Sequence, residues 1–270
     1  MTQTPAAVAD AQVWIVDLDG VLWLAGEPIG DVASAVTALR DRGVRVVFAT
    51  NNSAPTTEQL VARLARVGIA ADPDDLVTSA RVAASLLEPG QRVHLLGEAG
   101  LVEALVERGV EVADAGPRDA AVVGWSRDFD FAALAAIAAV ARATGRLIAT
   151  NGDPTHPTPE GLLPGSGALL AAVATASGVD PVVAGKPHPP TVGYIRDRML
   201  GPAGDRPAVV VGDQPGTDGA LAERLGLPFV LVDSGVTAPG APVDGVPVAL
   251  RCADFVSLVA GLPPARVPSS

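Results

Sequence analysis

The sequence predicts a doubly wound α/β fold: a parallel sheet covered by helices on both faces, with a second, smaller α/β domain inserted into it. Three observations carry this prediction. Several short runs are apolar throughout, among them Val13-Trp14-Ile15-Val16 and Ala208-Val209-Val210-Val211, as in strands buried on both faces. Stretches with helical spacing separate these runs, so strand and helix alternate. Two breaks rich in proline and glycine, Glu88-Pro89-Gly90 and Gly178 to Pro181, bracket a segment in which the alternation starts afresh.

In chain order, Val13 to Val16 forms the first strand. Asp31 to Arg42 is a helix with apolar positions at Val32, Ala35, Val36 and Leu39, Asp31 as N-cap and Gly43 as its stop. Val44 to Ala49 is a second buried strand ending at Thr50-Asn51-Asn52-Ser53. Helices over Thr56 to Arg66 and Ser79 to Leu87 follow. In the inserted segment, strands are expected at Arg92 to Leu96, Ala120 to Val123 and Leu147 to Thr150. Its helices are expected at Leu101 to Arg108, Phe131 to Ala143 and Ser166 to Ala176. Thereafter come a helix (Thr191 to Leu200), strands at Ala208 to Val211 and Pro228 to Val232, and a closing helix at Ala253 to Ala260. The domains expected are therefore a Rossmann-like core of residues 1–89 and 181–270, and an inserted domain of residues 90–180.

Composition narrows the function. An apolar fraction of 49% over 270 residues is ample for a core. A formal charge of −11 argues against nucleic-acid or anionic-membrane surfaces, which need basic patches. The single Cys252 excludes an internal disulfide framework. Met1 to Ala11 lacks a basic head followed by an apolar block, so no signal peptide is expected and a cytoplasmic location is the default. Of 19 basic residues only Lys186 is a lysine, a pointer to that position.

The first strand ends in Asp17-Leu18-Asp19-Gly20. Residues two apart on an extended chain project from one face, so the two carboxylates point the same way, and a solvated turn explains one aspartate better than two. Thr50-Asn51-Asn52 follows the second strand, and Asp213, then Asp218, follow the strand at Ala208 to Val211. In an open parallel sheet the ligand crevice lies beyond the carboxyl ends of the strands, so these groups are expected to converge. Carboxylates gathered in a crevice call for a cation. His94, His156 and His188 are dispersed, and all-oxygen ligation favours a hard metal, Mg²⁺ first. Thr50, the Asn amides and Lys186 suit an anion, and the combination suits phosphoryl transfer.

Four ordered motifs, Asp17-Leu18-Asp19-Gly20-Val21-Leu22-Trp23, Thr50-Asn51-Asn52-Ser53, Gly185-Lys186-Pro187-His188-Pro189 and Gly212-Asp213 with Thr217-Asp218, make the chain resemble the haloacid-dehalogenase-like (HAD) phosphatases. Within these it resembles the NagD-like and 4-nitrophenylphosphatase-like branch (class IIA), whose α/β cap lies between the second and third motifs. The likeness covers nearly the whole chain and includes Ala149-Thr150-Asn151-Gly152-Asp153 and Leu163-Pro164-Gly165-Ser166-Gly167 of the cap. The resemblance implies Asp17 as the nucleophile forming an aspartyl phosphate, and Asp19 as general acid and then base. It implies Mg²⁺ held by Asp17, the backbone carbonyl of Asp19, and Asp213. Asp218 would orient metal waters or Lys186, Thr50 and Asn51 would bind phosphoryl oxygens, and Lys186 would stabilise charge on nucleophile and phosphate. It also implies a homodimer formed through the cap. One departure is Gln214-Pro215-Gly216, where this branch usually has arginine after Gly-Asp.

Other residues have plainer readings. Trp23 reads as a packing residue more than a substrate contact, and His188 as the opening of a helix without a catalytic role. Asn151 and Asp153 are cap substrate contacts or local turn caps. His156 in a cap loop is a substrate contact or simply exposed, and Arg127 a contact to the ester or a surface ion pair. The rival functions are a phosphorylation-switch receiver domain, which needs no inserted domain and about half the length; a non-catalytic phospho-ligand binding protein, which would typically lack Asp17 or Asp19; and a phosphotransferase or mutase. The expected reaction is Mg²⁺-dependent hydrolysis of a small phosphorylated metabolite: a sugar phosphate, a polyol phosphate such as glycerol phosphate, phosphoglycolate, a nucleotide or pyridoxal phosphate.

Overall fold

A computed structural model describes residues 4–158, 161–201, 203 and 205–264. The chain divides into two compact units, one of Met1–Ala49, Val61–Leu76 and Val192–Ser270, the other of Thr50–Leu60 and Val77–Thr191.

The first unit is built on a six-stranded sheet in the order Leu250–Cys252, Phe229–Val232, Ala208–Gly212, Val13–Asp17, Arg45–Thr50, Leu76–Thr78. Pairing is parallel from Leu250–Cys252 through Arg45–Thr50, and Val13 is level with Ala208 on one side and Arg45 on the other. Every residue of Val13–Asp17, Ala208–Gly212 and Phe229–Val232 is buried, which accounts for runs without alternation. From Val13–Asp17 the chain steps outward one way to Arg45–Thr50 and Leu76–Thr78. From Ala208–Gly212 it steps the other way. The order therefore reverses between Val13–Asp17 and Ala208–Gly212, the switch point beside which parallel α/β sheets bind ligands.

The helix Val32–Asp41 begins at the expected N-cap, where Asp31 Oδ1 accepts from the Ser34 backbone N–H at 3.0 Å. Hydrogen bonds from Ser34, side chain first and backbone second, hold the Asp31 carboxyl below its ordinary pKa. The helix Phe255–Ala260 packs on Val32–Asp41, starts in a reciprocal Asp254–Ser257 cap, and sets Phe255 edge-on to Trp14 with ring centroids 6.3 Å apart.

The second unit holds a five-stranded parallel sheet in the order Pro181–Val183, Leu147–Ala149, Ala120–Val123, Arg92–Leu96, Glu111–Val112. Helices Phe131–Thr144 and Ser166–Ser177 pack together against this sheet, burying Leu96, Val123, Ile137, Ala141, Leu147 and Val173 in one cluster. An antiparallel ribbon joins Thr155–Thr158 to Gly161–Pro164.

The inserted α/β region is present as a sheet of its own. Pro181–Val183 continues the inserted sheet by pairing with Leu147–Ala149, and helix Ser79–Ser85 packs on Ala99–Glu107, so both flanks group with the insertion. Pro181, expected in a break, opens an edge strand, where a proline costs no ladder hydrogen bond. The two-residue strands Trp23–Leu24, Glu27–Pro28 and Glu111–Val112, the edge strand Leu250–Cys252 and the Thr155–Pro164 ribbon were not anticipated, because two to four residues carry no readable period. Among the described residues no helix is long and apolar enough to cross a membrane.

Candidate active site

In the first unit, Asp17 is the last residue of its strand, and Asp213 follows the last residue of the neighbouring one. Because Val16 pairs with Val211, the two aspartates leave the sheet side by side at the switch point. A π-helical turn over Pro215–Gly219 then brings Asp218 back to them: carboxylate oxygens of Asp17, Asp213 and Asp218 lie within 4.8 Å of one another, and all three residues are buried. Backbone groups aim these side chains. The Val236 N–H donates to Asp213 Oδ2 at 2.6 Å and the Gln214 N–H to Asp218 Oδ2 at 3.2 Å. Two glycines are required by this crowding. A Cβ on Gly20, whose φ is +83°, would stand 2.5 Å from Asp213 Oδ2, and one on Gly212 would stand 2.2 Å from Asp218 Cγ. Neither the Val236 contact nor the brace from Ser234 Oγ to the Gly20 carbonyl, 2.7 Å, has a local sequence signal.

Three buried carboxylates this close suit a divalent cation with oxygen preference. A hard metal such as Mg²⁺ fits the donor set, and among the described residues no His or Cys joins it. Asp19 stands apart: its side chain is 44% exposed, and Oδ1 accepts from Trp23 Nε1 at 2.8 Å and lies 3.7 Å from an Arg63 guanidinium nitrogen. Trp23 is fully buried, as a packing residue should be, and also serves as a donor.

In the second unit, Asn51 is a hub. Its Oδ1 accepts from the Lys186 N–H at 2.8 Å, and its Nδ2 donates to the Lys186 carbonyl at 3.1 Å and to Asp153 Oδ2 at 3.1 Å. The Asn51 carbonyl accepts from Ser79 Oγ and from Asn151 Nδ2. The side-chain amide, expected on phosphoryl oxygens, is thus engaged in clamping the main chain of Lys186. Lys186 itself is buried, as is Thr50, whose Oγ1 accepts from the Asn52 N–H at 3.0 Å and keeps its proton to donate.

The expected cap contacts separate into two kinds. Asn151 is buried and bound to Asn51 and to Ser166 Oγ, and its Oδ1 caps the Asp153 N–H, so turn and packing roles account for it and for much of Asp153. Arg127 and His156 instead flank Trp125: the guanidinium lies 5.4 Å from one Trp125 ring centre, and the imidazole centroid 5.0 Å from the indole. His188 immediately precedes the helix Pro189–Arg198.

Comparison with known proteins agrees with this geometry. A haloacid dehalogenase-like hydrolase model matches residues 14–111, and a HAD-hydrolase-like model matches residues 183–250. The D-glycerol 3-phosphate phosphatase of Mycobacterium tuberculosis is 38% identical over 241 residues, 87% of this chain and 66% of that protein. A crystal structure of a glycerol phosphate phosphatase from Mycobacterium tuberculosis in complex with magnesium superposes with a TM-score of 0.83 at 34% identity, over 94% of this chain and 78% of that one. The acid sugar phosphatase of Staphylococcus saprophyticus is 31% identical over 229 residues, 84% of this chain and 88% of that protein. The 4-nitrophenylphosphatase of Thermotoga maritima, 26% identical, superposes with a TM-score of 0.87 over 96% of this chain and the whole of that one. A doubly wound core with three carboxylates at its switch point, an α/β insertion after the second motif and these relatives together place the chain in the haloacid dehalogenase-like hydrolases, as a phosphatase of the 4-nitrophenylphosphatase and NagD-like branch.

Proposed function

We propose that the chain is an Mg²⁺-dependent phosphatase acting on small polyol or sugar phosphate monoesters through an aspartyl phosphate. The buried Asp17–Asp213–Asp218 cluster carries this reading. The relatives' glycerol phosphate and sugar phosphate chemistry supports the substrate class. Asp17, the backbone carbonyl of Asp19, and Asp213 would hold the metal, with Asp218 orienting its waters. The metal would neutralise charge on nucleophile and phosphate.

In the first step an Asp17 oxygen bonds to phosphorus while the ester P–O bond breaks and Asp19 gives its proton to the departing alkoxide. In the second, Asp19 takes a proton from water, the water oxygen bonds to phosphorus, and the Asp17 O–P bond breaks. Lys186 supplies an ammonium to the phosphate charge, and the Thr50 hydroxyl and the Asn51 N–H donate to its oxygens. The Asn51 side chain acts one step removed, by fixing the Lys186 backbone. The insertion at residues 90–180 serves as the cap that chooses the leaving group, with Arg127 and His156 beside Trp125 as its contacts. Cytoplasmic residence, small-metabolite partners and pairing of two copies through the cap complete the proposal.

The test is a panel of polyol, sugar, nucleotide and aryl phosphates assayed for phosphate release with Mg²⁺ and with EDTA. Turnover that needs Mg²⁺ and disappears in Asp17→Asn is the expected result. If no ester is hydrolysed, or Asp17→Asn matches the parent, the proposed chemistry is wrong. Transfer of the phosphoryl group to an added alcohol in place of water would instead identify a phosphotransferase.

A further inference from the structure

We infer that Trp23 and Arg63 are positioning residues that hold one oxygen of Asp19 so that the other carries the proton to the leaving group. The inference rests on the proton-transfer role proposed for Asp19. Asp19 sits in the turn after the first strand, and its side chain is nearly half exposed, so nothing in its own packing selects a rotamer. What selects one is the Trp23 indole, fully buried, whose Nε1–H donates to Oδ1 at 2.8 Å. The turn closes on itself to make this contact, with the Gly20 N–H donating to the Trp23 carbonyl at 2.8 Å. Indole N–H is a donor only, and a donor buried without an acceptor is costly, so the contact is held from the tryptophan side.

Arg63 completes the arrangement from helix Thr57–Arg66. Its guanidinium carbon lies 4.3 Å from the centre of a Trp23 ring, and a terminal nitrogen lies 3.7 Å from the same Asp19 Oδ1. Stacking keeps the indole edge aimed, and the positive charge favours electron density on Oδ1. Both contacts fall on one oxygen. With both partners on Oδ1, the carboxyl plane is fixed and Oδ2 is the oxygen left to face the leaving group. A plain surface ion pair between Asp19 and Arg63 would need neither the indole contact nor the stack.

Leaving-group dependence separates positioning from a merely structural role. kcat/KM covers the steps up to alcohol release, and an alkyl phosphate needs the proton there whereas 4-nitrophenyl phosphate departs as a stable anion. Trp23→Phe keeps the ring and deletes the N–H, and Arg63→Met keeps the stem and deletes the charge. General acid catalysis is worth about 10²–10⁴-fold, so a loosened acid should lower kcat/KM for glycerol phosphate at least ~10-fold but for 4-nitrophenyl phosphate less than ~3-fold. Arg63→Lys should recover part of the Arg63→Met loss. Equal losses on both esters, or no loss on either, overturn the inference while the parent's turnover leaves the phosphatase reading intact. If Trp23→Phe unfolds, as a thermal melt would show, Arg63→Met alone decides. A parent inactive on every ester would refute the phosphatase reading and this inference with it.

Discussion

The carboxylate cluster makes the fold's stability depend on a cation, and the size of the effect can be worked from the geometry. Oxygens of Asp17, Asp213 and Asp218 lie within 4.8 Å of one another. At that separation and an effective dielectric constant of ~20, a pair of unit charges repels by about 3.5 kcal/mol. Asp213→Asn removes two of the pairs while keeping the shape, so in EDTA the variant should melt no lower than the parent, although the new amide meets the Val236 N–H that now donates to Asp213. With Mg²⁺ at about a hundred times its dissociation constant, mass action adds ~2.7 kcal/mol to the parent, a rise in melting temperature of about 5 °C for a chain of this size. The variant, short of a ligand, should rise by less than half as much. Thermal unfolding of both proteins, in EDTA and across an Mg²⁺ titration, reads the whole scheme without substrate. A parent that melts at one temperature with and without Mg²⁺, or an Asp213→Asn protein that gains as much as the parent, would refute the assignment of the cluster as the metal site.

Other substitutions test other parts of the structure. Gly212→Ala places a methyl 2.2 Å from Asp218 Cγ, so the side chain must move; activity should fall by an order of magnitude or more, with roughly 1–3 kcal/mol lost by overpacking, measured by kinetics and urea unfolding. Burial first, then the charges of Asp254 and Asp233, push the Cys252 thiol above its ordinary pKa. A raised pKa leaves less thiolate at any pH near 8, so alkylation by iodoacetamide should lag behind that of a free thiol at about pH 8 and catch up only as pH rises further, as mass spectrometry over time would show.

Asp17 and Asp213 are legible in the sequence because each closes a run of apolar residues that reads as a buried strand, and parallel strands present their carboxyl ends to one side; Asp218, five residues after Asp213, is legible only through the motif they share. The helix Val32–Asp41 was legible down to its cap, since capping is decided within four residues. Asn51 is legible by its position after the second strand, but the partner of its amide is not, since Lys186 lies 135 residues away. Arg63 is one of 18 arginines in the sequence and carries no local signal; only folding brings it over Trp23.

By itself, then, the sequence determined which strands are buried, the class of chemistry at their ends and the presence of an inserted α/β segment, because burial pattern, capping and motif order are properties of near neighbours. The tertiary structure decided which atoms of those residues are occupied. It brought the Val236 N–H to Asp213 and the Arg63 charge to Asp19. Those contacts join residues distant along the chain, and they exist only once the sheet's strand order has closed the distance.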